Sequence, residues 1–267
     1  MYILIQSNLN NNNSDFDKIY AILDELKIPF EKIALTDEHA RVSIAANRND
    51  VFVYGSVKLA MLGKENTKWY PGSFYGGNHL FEVYAPYYKE HLLNYHTEIK
   101  AFGELLNWEA EEQKFIKPYR FAKLFTGKVF SRIKWEDFVD NSLKKRSNDL
   151  FNAQSLVQVS IPRTITKEAR LWIVDGQIVD AVYYKILKDI PFEATVAPEG
   201  IRFAEQMISI FNVAPAFVMD ICLTDIGWKI VEINCINSAG FYPNTDIKKV
   251  FLSLRDHFKP TITPSAE

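Results

Sequence analysis

Apolar positions along this chain follow two periods, and the switches between them mark its elements. Tyr2–Gln6 is a nearly continuous apolar run, the pattern of a buried strand. After a polar turn at 8–13, Phe16, Ile19, Ile22, Leu23 and Leu26 recur at helical spacing, which predicts a helix over 15–27. Short apolar runs at 32–35 and 50–54 predict two more strands, the second leading through Gly55-Ser56 into a helix that reaches Leu62. Strand and helix alternating in this way predict a small α/β subdomain. The stretch 69–78, rich in Gly, Pro and aromatic residues, predicts a loop.

A second region begins near His96. A helix is expected over 98–106, then a strand at 115–118 closed by Pro118. The basic turn 119–128 holds Lys123, Thr126 and Gly127, and the chain returns through Val129-Phe130. A basic, Gly-containing turn between strands is suited to folding over phosphates. Leu156–Ser160 is an apolar strand. The runs 166–174 and 177–185 flank Asp175-Gly176, a two-residue hairpin signal. In the simplest register Arg170 faces Ala181, Glu168 faces Tyr183 and Thr166 faces Lys185. Glu168, Arg170 and Lys185 then share one face. Two readings fit that face: surface ion pairing, or a cationic floor for phosphates in which Glu168 holds a cation in place. An amphipathic helix is expected over 200–211, a closing helix over 245–258, and a disordered tail from Pro260.

Chemistry concentrates in the last hairpin. Two apolar runs, 217–223 and 228–234, flank a polar turn ending in Gly227. A three-residue loop sets Thr224 against Trp228, Cys222 against Ile230 and Asp220 against Glu232. Facing carboxylates destabilise a sheet. Asn234 points to the same face, because strand side chains alternate. Three oxygen ligands thus converge, and a hard cation such as magnesium would remove the repulsion. The opposite face, Phe217, Met219, Ile221, Leu223, Val231 and Ile233, is wholly apolar.

Composition narrows the classes. The 267 residues carry a net charge of −2, so no general attraction to nucleic acid or to an anionic membrane is implied. No apolar run approaches a membrane span, and the N-terminus lacks the pattern of a secretory signal. The two cysteines, Cys222 and Cys235, are expected on opposite faces and reduced, as in a cytoplasmic protein.

A strand lysine, a basic Gly-containing turn, a Glu-x-Arg hairpin and an Asp…Glu-x-Asn hairpin occur in that order. This order resembles the ATP-grasp superfamily, above all the short stand-alone bacterial and phage ATP-grasp proteins. Val231-Glu232-Ile233-Asn234 with upstream Asp220 is the specific part, supported by Lys117-Pro118 and Glu168-Ala169-Arg170. The resemblance implies an α+β fold with two α+β lobes clasping ATP after a small α/β subdomain. It places a pre-ATP-grasp segment at 1–96, the ATP-grasp domain at 97–259 and a tail at 260–267. By the same resemblance Lys117 touches the nucleotide phosphates, while Lys123, Thr126 and Gly127 belong to a phosphate lid. Gln158, Val159 and Ser160 offer backbone to the adenine edge, and Glu168 lies on the nucleotide side. Arg170 and Lys185 contact phosphates or an acyl phosphate. Asp220, Glu232 and Asn234 hold magnesium, with Asn237 nearby. The implied activity is an ATP- and magnesium-dependent ligase joining a small-molecule or peptide carboxylate to an amine or thiol through an acyl phosphate. Arg48, Tyr75 and His79 are expected on the acceptor side. His79, His91 and His96 are base candidates by chemistry alone. A nucleotide sensor without turnover and a small-molecule kinase are the alternatives.

Overall fold

The structure, a computed structural model, describes residues 1–9, 13–35, 48–120, 124–146, 151–188 and 195–259. The expected tail from Pro260 lies outside them. The chain divides into two compact units, one made of Met1–Tyr88 with Thr166–Glu267 and the other of Lys89–Ile165. This division by compactness is a different partition from the sequence boundary at residue 96.

The first unit contains two sheets. Strands β1 (Tyr2–Gln6), β2 (Phe30–Ile33) and β3 (Val51–Tyr54) pair in parallel, with β1 in the centre. Helix α1 (Asn13–Glu25) makes the first crossover, and α2 (Val57–Glu65) follows β3. The Ser56 side chain caps α2 by accepting from the Leu59 N–H. All four residues of β3 are buried, as an apolar strand in a parallel sheet demands. The second sheet has the order β11-β10-β8-β9. Its strands are β8 (Ile165–Val174), β9 (Gln177–Ile186), β10 (Ala216–Thr224) and β11 (Gly227–Cys235). Strands β8 and β10 run antiparallel, since Thr166 bonds Leu223 at one end and Asp175 bonds Pro215 at the other. One continuous core joins both sheets: Ile3, Ile5 and Phe52 pack in the same cluster as Trp172, Val218, Val250 and Phe251. The closing helix, Ile247–His257, contributes Val250, Phe251 and Leu254 to it.

The second unit is a four-stranded antiparallel sheet of order β4-β7-β5-β6, made of β4 (Glu98–Ala101), β5 (Gln113–Pro118), β6 (Lys128–Ser131) and β7 (Leu156–Ser160). The helix expected over 98–106 is therefore a strand. Pairing along β7 overrides the weak local preference of Glu98-Ile99-Lys100-Ala101, and Gly103, tight against Ala153, closes the segment. Ile116, Phe130, Val157 and Val159 pack with Phe102 and Trp135, the last from the helix Arg132–Arg146. No helix among the described residues is long and apolar enough to cross a membrane.

Candidate functional site

The β10–β11 hairpin brings the expected acids together, by a different route from the simplest register. Its loop has two residues rather than three, so Thr224 faces Gly227 and Cys222 faces Lys229. Thr224 tightens the turn: its Oγ1 donates to the Gly227 carbonyl at 2.8 Å and accepts from the Ile226 N–H at 3.3 Å. Gly227 takes φ +96°, a conformation that favours glycine. A bulge between Asp220 and Ile221, with Val231 as the extra residue, then restores the pairing of Asp220 with Glu232. Asn234 lies beside both acids. Its Nδ2 donates to Glu232 Oε1 at 2.8 Å and approaches Asp220 Oδ2 at 3.4 Å.

The β8–β9 hairpin turns on Asp175 and Gly176, both at positive φ, as a two-residue loop requires. Bulges at Trp172/Ile173 and Glu168/Ala169 each slip the register by one residue. Arg170 therefore faces Val182 instead of Ala181, and Glu168 faces Lys185 instead of Tyr183. Because the two slips sum to two, Lys185 returns to the face of Glu168 and Arg170. Lys185 Nζ donates to Glu168 Oε1, and the Tyr184 hydroxyl donates to Glu168 Oε2 at 2.8 Å. Arg170 grips Asp220 with two bonds, Nε to Oδ1 at 2.8 Å and Nη2 to Oδ2 at 2.7 Å, and Nη1 donates to the Gly240 carbonyl at 2.9 Å. Arg170 is 7% exposed and Asp220 2% exposed, so this pair is not a surface ion pair. Tyr242 lies under the guanidinium at 4.7 Å and stacks on Tyr184 at 4.4 Å. The two tyrosines, unforeseen from sequence, depend on the β9 bulge and on the return of the chain after Gly240.

Burial dominates the electrostatics here. It pushes the Asp220 carboxyl up to about 6; Arg170 pulls the other way, and Glu232 and Glu168 add to the rise. Burial also works against the Arg170 charge, but hydrogen bonding to Asp220 and its charge more than offset this and hold Arg170 above its ordinary value. The Tyr184 hydroxyl is held far above the usual phenol range by burial and by the nearby Asp220 and Glu168 charges. Among the described residues no three His, Cys, Asp or Glu side chains gather as a metal set. Asp220 and Glu232 nevertheless supply two facing carboxylates, hard oxygen donors of the kind magnesium takes; Asn234 turns its Nδ2 toward them, so its amide oxygen would join a metal only with the amide turned over. Arg170 uses one edge of Asp220 and Asn234 approaches Oδ2, which leaves a further lone pair on Oδ1.

The other expected nucleotide residues lie in the Lys89–Ile165 unit. Lys117 and Gln158 are paired across β5 and β7, on the face opposite Ile116, Val157 and Val159. Gly127 lies so close to Lys117 that an added Cβ would sit 2.7 Å from the lysine Cβ and 3.0 Å from the Phe115 ring. Thr126 is exposed, and Lys123 falls outside the described residues. The backbone contact expected of Gln158 and Val159 has competition, because β7 is paired on both sides and the Val159 carbonyl also accepts from the Thr97 hydroxyl. The Gln158 side chain, 2% exposed, has a buried Oε1 with no hydrogen-bond partner. Ser160 Oγ donates to Asn94 Oδ1 at 3.1 Å.

Several remaining candidates have structural duties. Arg48 is paired with Asp50 by two bonds of 2.9 Å and covers the Tyr2 ring. Asn237 is wholly buried; it donates to the Val53 and Gly72 carbonyls and accepts from the Phe74 N–H. His96 pairs with Glu90 at an exposed position. Cys222 and Cys235 are both free and buried.

The profile of the ATP-grasp domain, R-2-K clade family 3, matches residues 71–254 of the chain. No curated protein matches it in sequence. Several solved structures share its fold. D-alanine–D-alanine ligase from Bacillus anthracis complexed with ATP is 12% identical, with a TM-score of 0.62 over 96% of this chain and 92% of that one. D-cycloserine synthetase DcsG is 13% identical, with a TM-score of 0.61 over 97% of this chain and all of the other, a coverage of 100%. ATP-grasp ligase PsnB, complexed with a phosphomimetic variant of its minimal precursor, Mg and ADP, is 13% identical, with a TM-score of 0.59 over 97% and 98%.

Proposed function

Because this chain belongs to the ATP-grasp domain, R-2-K clade family 3, we propose that it is an ATP- and magnesium-dependent ligase. It joins a carboxylate to an amine, or to a thiol, through an acyl phosphate. The observation that carries the reading is the convergence of Asp220, Glu232 and Asn234 on one face, with Arg170 fixed against them. Asp220, Glu232 and Asn234 would hold the magnesium, which when bound offsets charge on the transferring phosphoryl group. Lys185, its side chain 63% exposed while anchored to Glu168, supplies a positioned cation for phosphate oxygens. Arg170 orients Asp220 and adds its charge to the same face. In the other unit, Lys117 is the residue that would meet nucleotide phosphates. The close approach of Gly127 to Lys117 supports that role. The unpartnered Gln158 Oε1 matches the exocyclic amine of adenine, a donor that guanine lacks at that position. Residues 1–96 serve as the pre-ATP-grasp segment and 97–259 as the catalytic domain. The relatives that take peptides and small molecules support an acceptor of either kind.

The test is ADP release with magnesium across a panel of amino acids and short peptides, repeated with hydroxylamine. A ligase forms a reactive mixed anhydride and yields a hydroxamate. A kinase acting on a hydroxyl yields a stable phosphate ester and no hydroxamate, and a sensor yields neither. Absence of ATP binding by folded protein, with or without magnesium, would sink the reading.

A further inference from the structure

Three kinds of contact hold the Arg170 guanidinium, all within the Met1–Tyr88 and Thr166–Glu267 unit. Nε and Nη2 end on the Asp220 carboxylate, and Nη1 ends on the Gly240 carbonyl. The third contact is aromatic. Cζ lies 4.7 Å from the centre of the Tyr242 ring and 6.0 Å from that of Tyr184, and the two rings are stacked with their planes 13° apart. A ring face carries negative potential and attracts a cation, most strongly where water is excluded, as it is around the buried Arg170. The two hydroxyls differ. Tyr184 is anchored through its bond to Glu168 Oε2, whereas the Tyr242 hydroxyl has no hydrogen-bond partner among the described residues. What Tyr242 offers the site is its ring.

The backbone on either side pins that ring. Phe241, one residue before it, stacks on the buried Trp172 at 4.2 Å. The Tyr242 carbonyl accepts from the Thr245 N–H at 3.2 Å. Past this turn, the Asp246 N–H donates to Asp180 Oδ2 at 2.9 Å, and the Asp246 side chain caps the closing helix through the Lys249 N–H. A side chain carried on so fixed a turn has little freedom left to lose when it covers the guanidinium.

These contacts respond differently to a bound cation. On the ligase reading, on which this inference rests, Asp220 shares its charge with magnesium. Two of the three Arg170 hydrogen bonds end on that carboxylate, and they weaken as its charge is shared. The Gly240 carbonyl and the Tyr242 ring are outside that competition. We propose that Tyr242 is a positioning residue: its ring, stacked on Tyr184, keeps the Arg170 guanidinium on the site face when the Asp220 charge is drawn away. Asp220 then governs Arg170 in the empty site, and Tyr242 governs it in the loaded one.

The first test withdraws the Asp220 charge with no ligand present, through Asp220→Asn in the full chain. Hydrogen exchange of the Arg170 Nε–H, followed by NMR, reports how often the side chain lets go. In that background Tyr242→Leu, which keeps apolar bulk and removes the ring, should speed exchange about ten- to thirtyfold, the factor of a desolvated cation–ring contact. With Asp220 intact the same substitution should change the rate far less. Tyr242→Phe keeps the ring and should restore the slow rate in the Asp220→Asn background. Thermal melting verifies folding. Should the Asp220→Asn chains not fold, the same comparison is made with Asp220 intact, before and after adding magnesium and ADP. Equal rates for Tyr242→Leu and its parent once the charge is withdrawn would overturn the proposal. So would an equal effect of Tyr242→Leu with and without that charge, the mark of a merely structural contact, or Tyr242→Phe behaving as Tyr242→Leu does. Calorimetry adds a second readout: Tyr242→Leu should weaken ATP about tenfold with magnesium present and far less without it. If no form of the folded protein binds ATP, the ligase reading fails, while the exchange rates still decide whether the ring holds Arg170.

Discussion

At the scale of single residues, the facing acids are where chemistry and stability pull apart. Glu232→Gln keeps the shape and an oxygen for Asn234 while removing one charge from opposite Asp220. Turnover is expected to fall on the order of 100-fold, while the chemical-denaturation midpoint stays level or rises, since like charges across a sheet repel. Unchanged turnover would remove Glu232 from the metal set. Asp220 gives a pH signature. Its folded pKa of about 6 stands above the ordinary carboxylate value, chiefly through burial, so the native state holds this proton more tightly than the unfolded chain does. Its contribution to stability is thus fully present below about pH 4 and is lost as pH rises through 6. Asp220→Asn cannot titrate. It sets an amide N–H2 against the Arg170 donors in place of one accepting oxygen and should melt lower throughout. The gap to the wild type should nevertheless narrow between pH 4 and 7, by up to about 3 kcal/mol. A gap independent of pH would mean that Asp220 ionises in the native state as it does in the unfolded chain.

At the scale of elements, hairpins carry the site and close packing fixes their positions. Gly200, in the helix Pro198–Ile210, lies against the Trp228 indole of β11, where an added Cβ would stand 2.9 Å from two ring atoms. A rigid ring cannot give way as a flexible chain end can. Gly200→Ala should therefore cost about 1–3 kcal/mol in denaturant unfolding, whereas Gly240→Ala, with open space around it, should cost far less. Equal costs would show that the indole moves aside. The same hairpins show what sequence can and cannot disclose. Apolar runs bounded by Asp175-Gly176 and by Gly227 located all four strands of the sheet, and alternation placed Asp220, Glu232 and Asn234 on one face. The bulges at Val179, Tyr184 and Val231 left no local mark, because a bulge answers to twist and to packing against neighbouring strands. Arg170 was legible as a charge near the site, but its grip on Asp220 was not, since that needs β8 beside β10. The strand Glu98–Ala101 read as a helix because its pairing partner lies more than fifty residues on. The helix Arg132–Arg146 went unread although Trp135, Phe138, Val139 and Ser142 recur at helical spacing; the exposed Ile133 dilutes that stripe.

At the scale of the whole molecule, one unit is a single stretch of sequence and the other is drawn from both sides of it. Residues 89–165 form a continuous segment with their own core of Phe102, Ile116, Phe130 and Trp135. Expressed alone, this segment is expected to show a cooperative melt, and a featureless one would mean that its core is not self-sufficient. The other unit has its core shared between the two ends of the chain. Ile3, Ile5, Phe52 and Tyr54 are buried together with Val250, Phe251 and Leu254. Non-local pairings of this kind cannot form until both partners exist. During synthesis the first sheet must therefore wait, one apolar face uncovered, while some two hundred further residues emerge. The nascent N-terminal segment is a natural client for chaperones during that interval. A premature stop that removes only the closing helix would be felt first at the opposite end of the polypeptide.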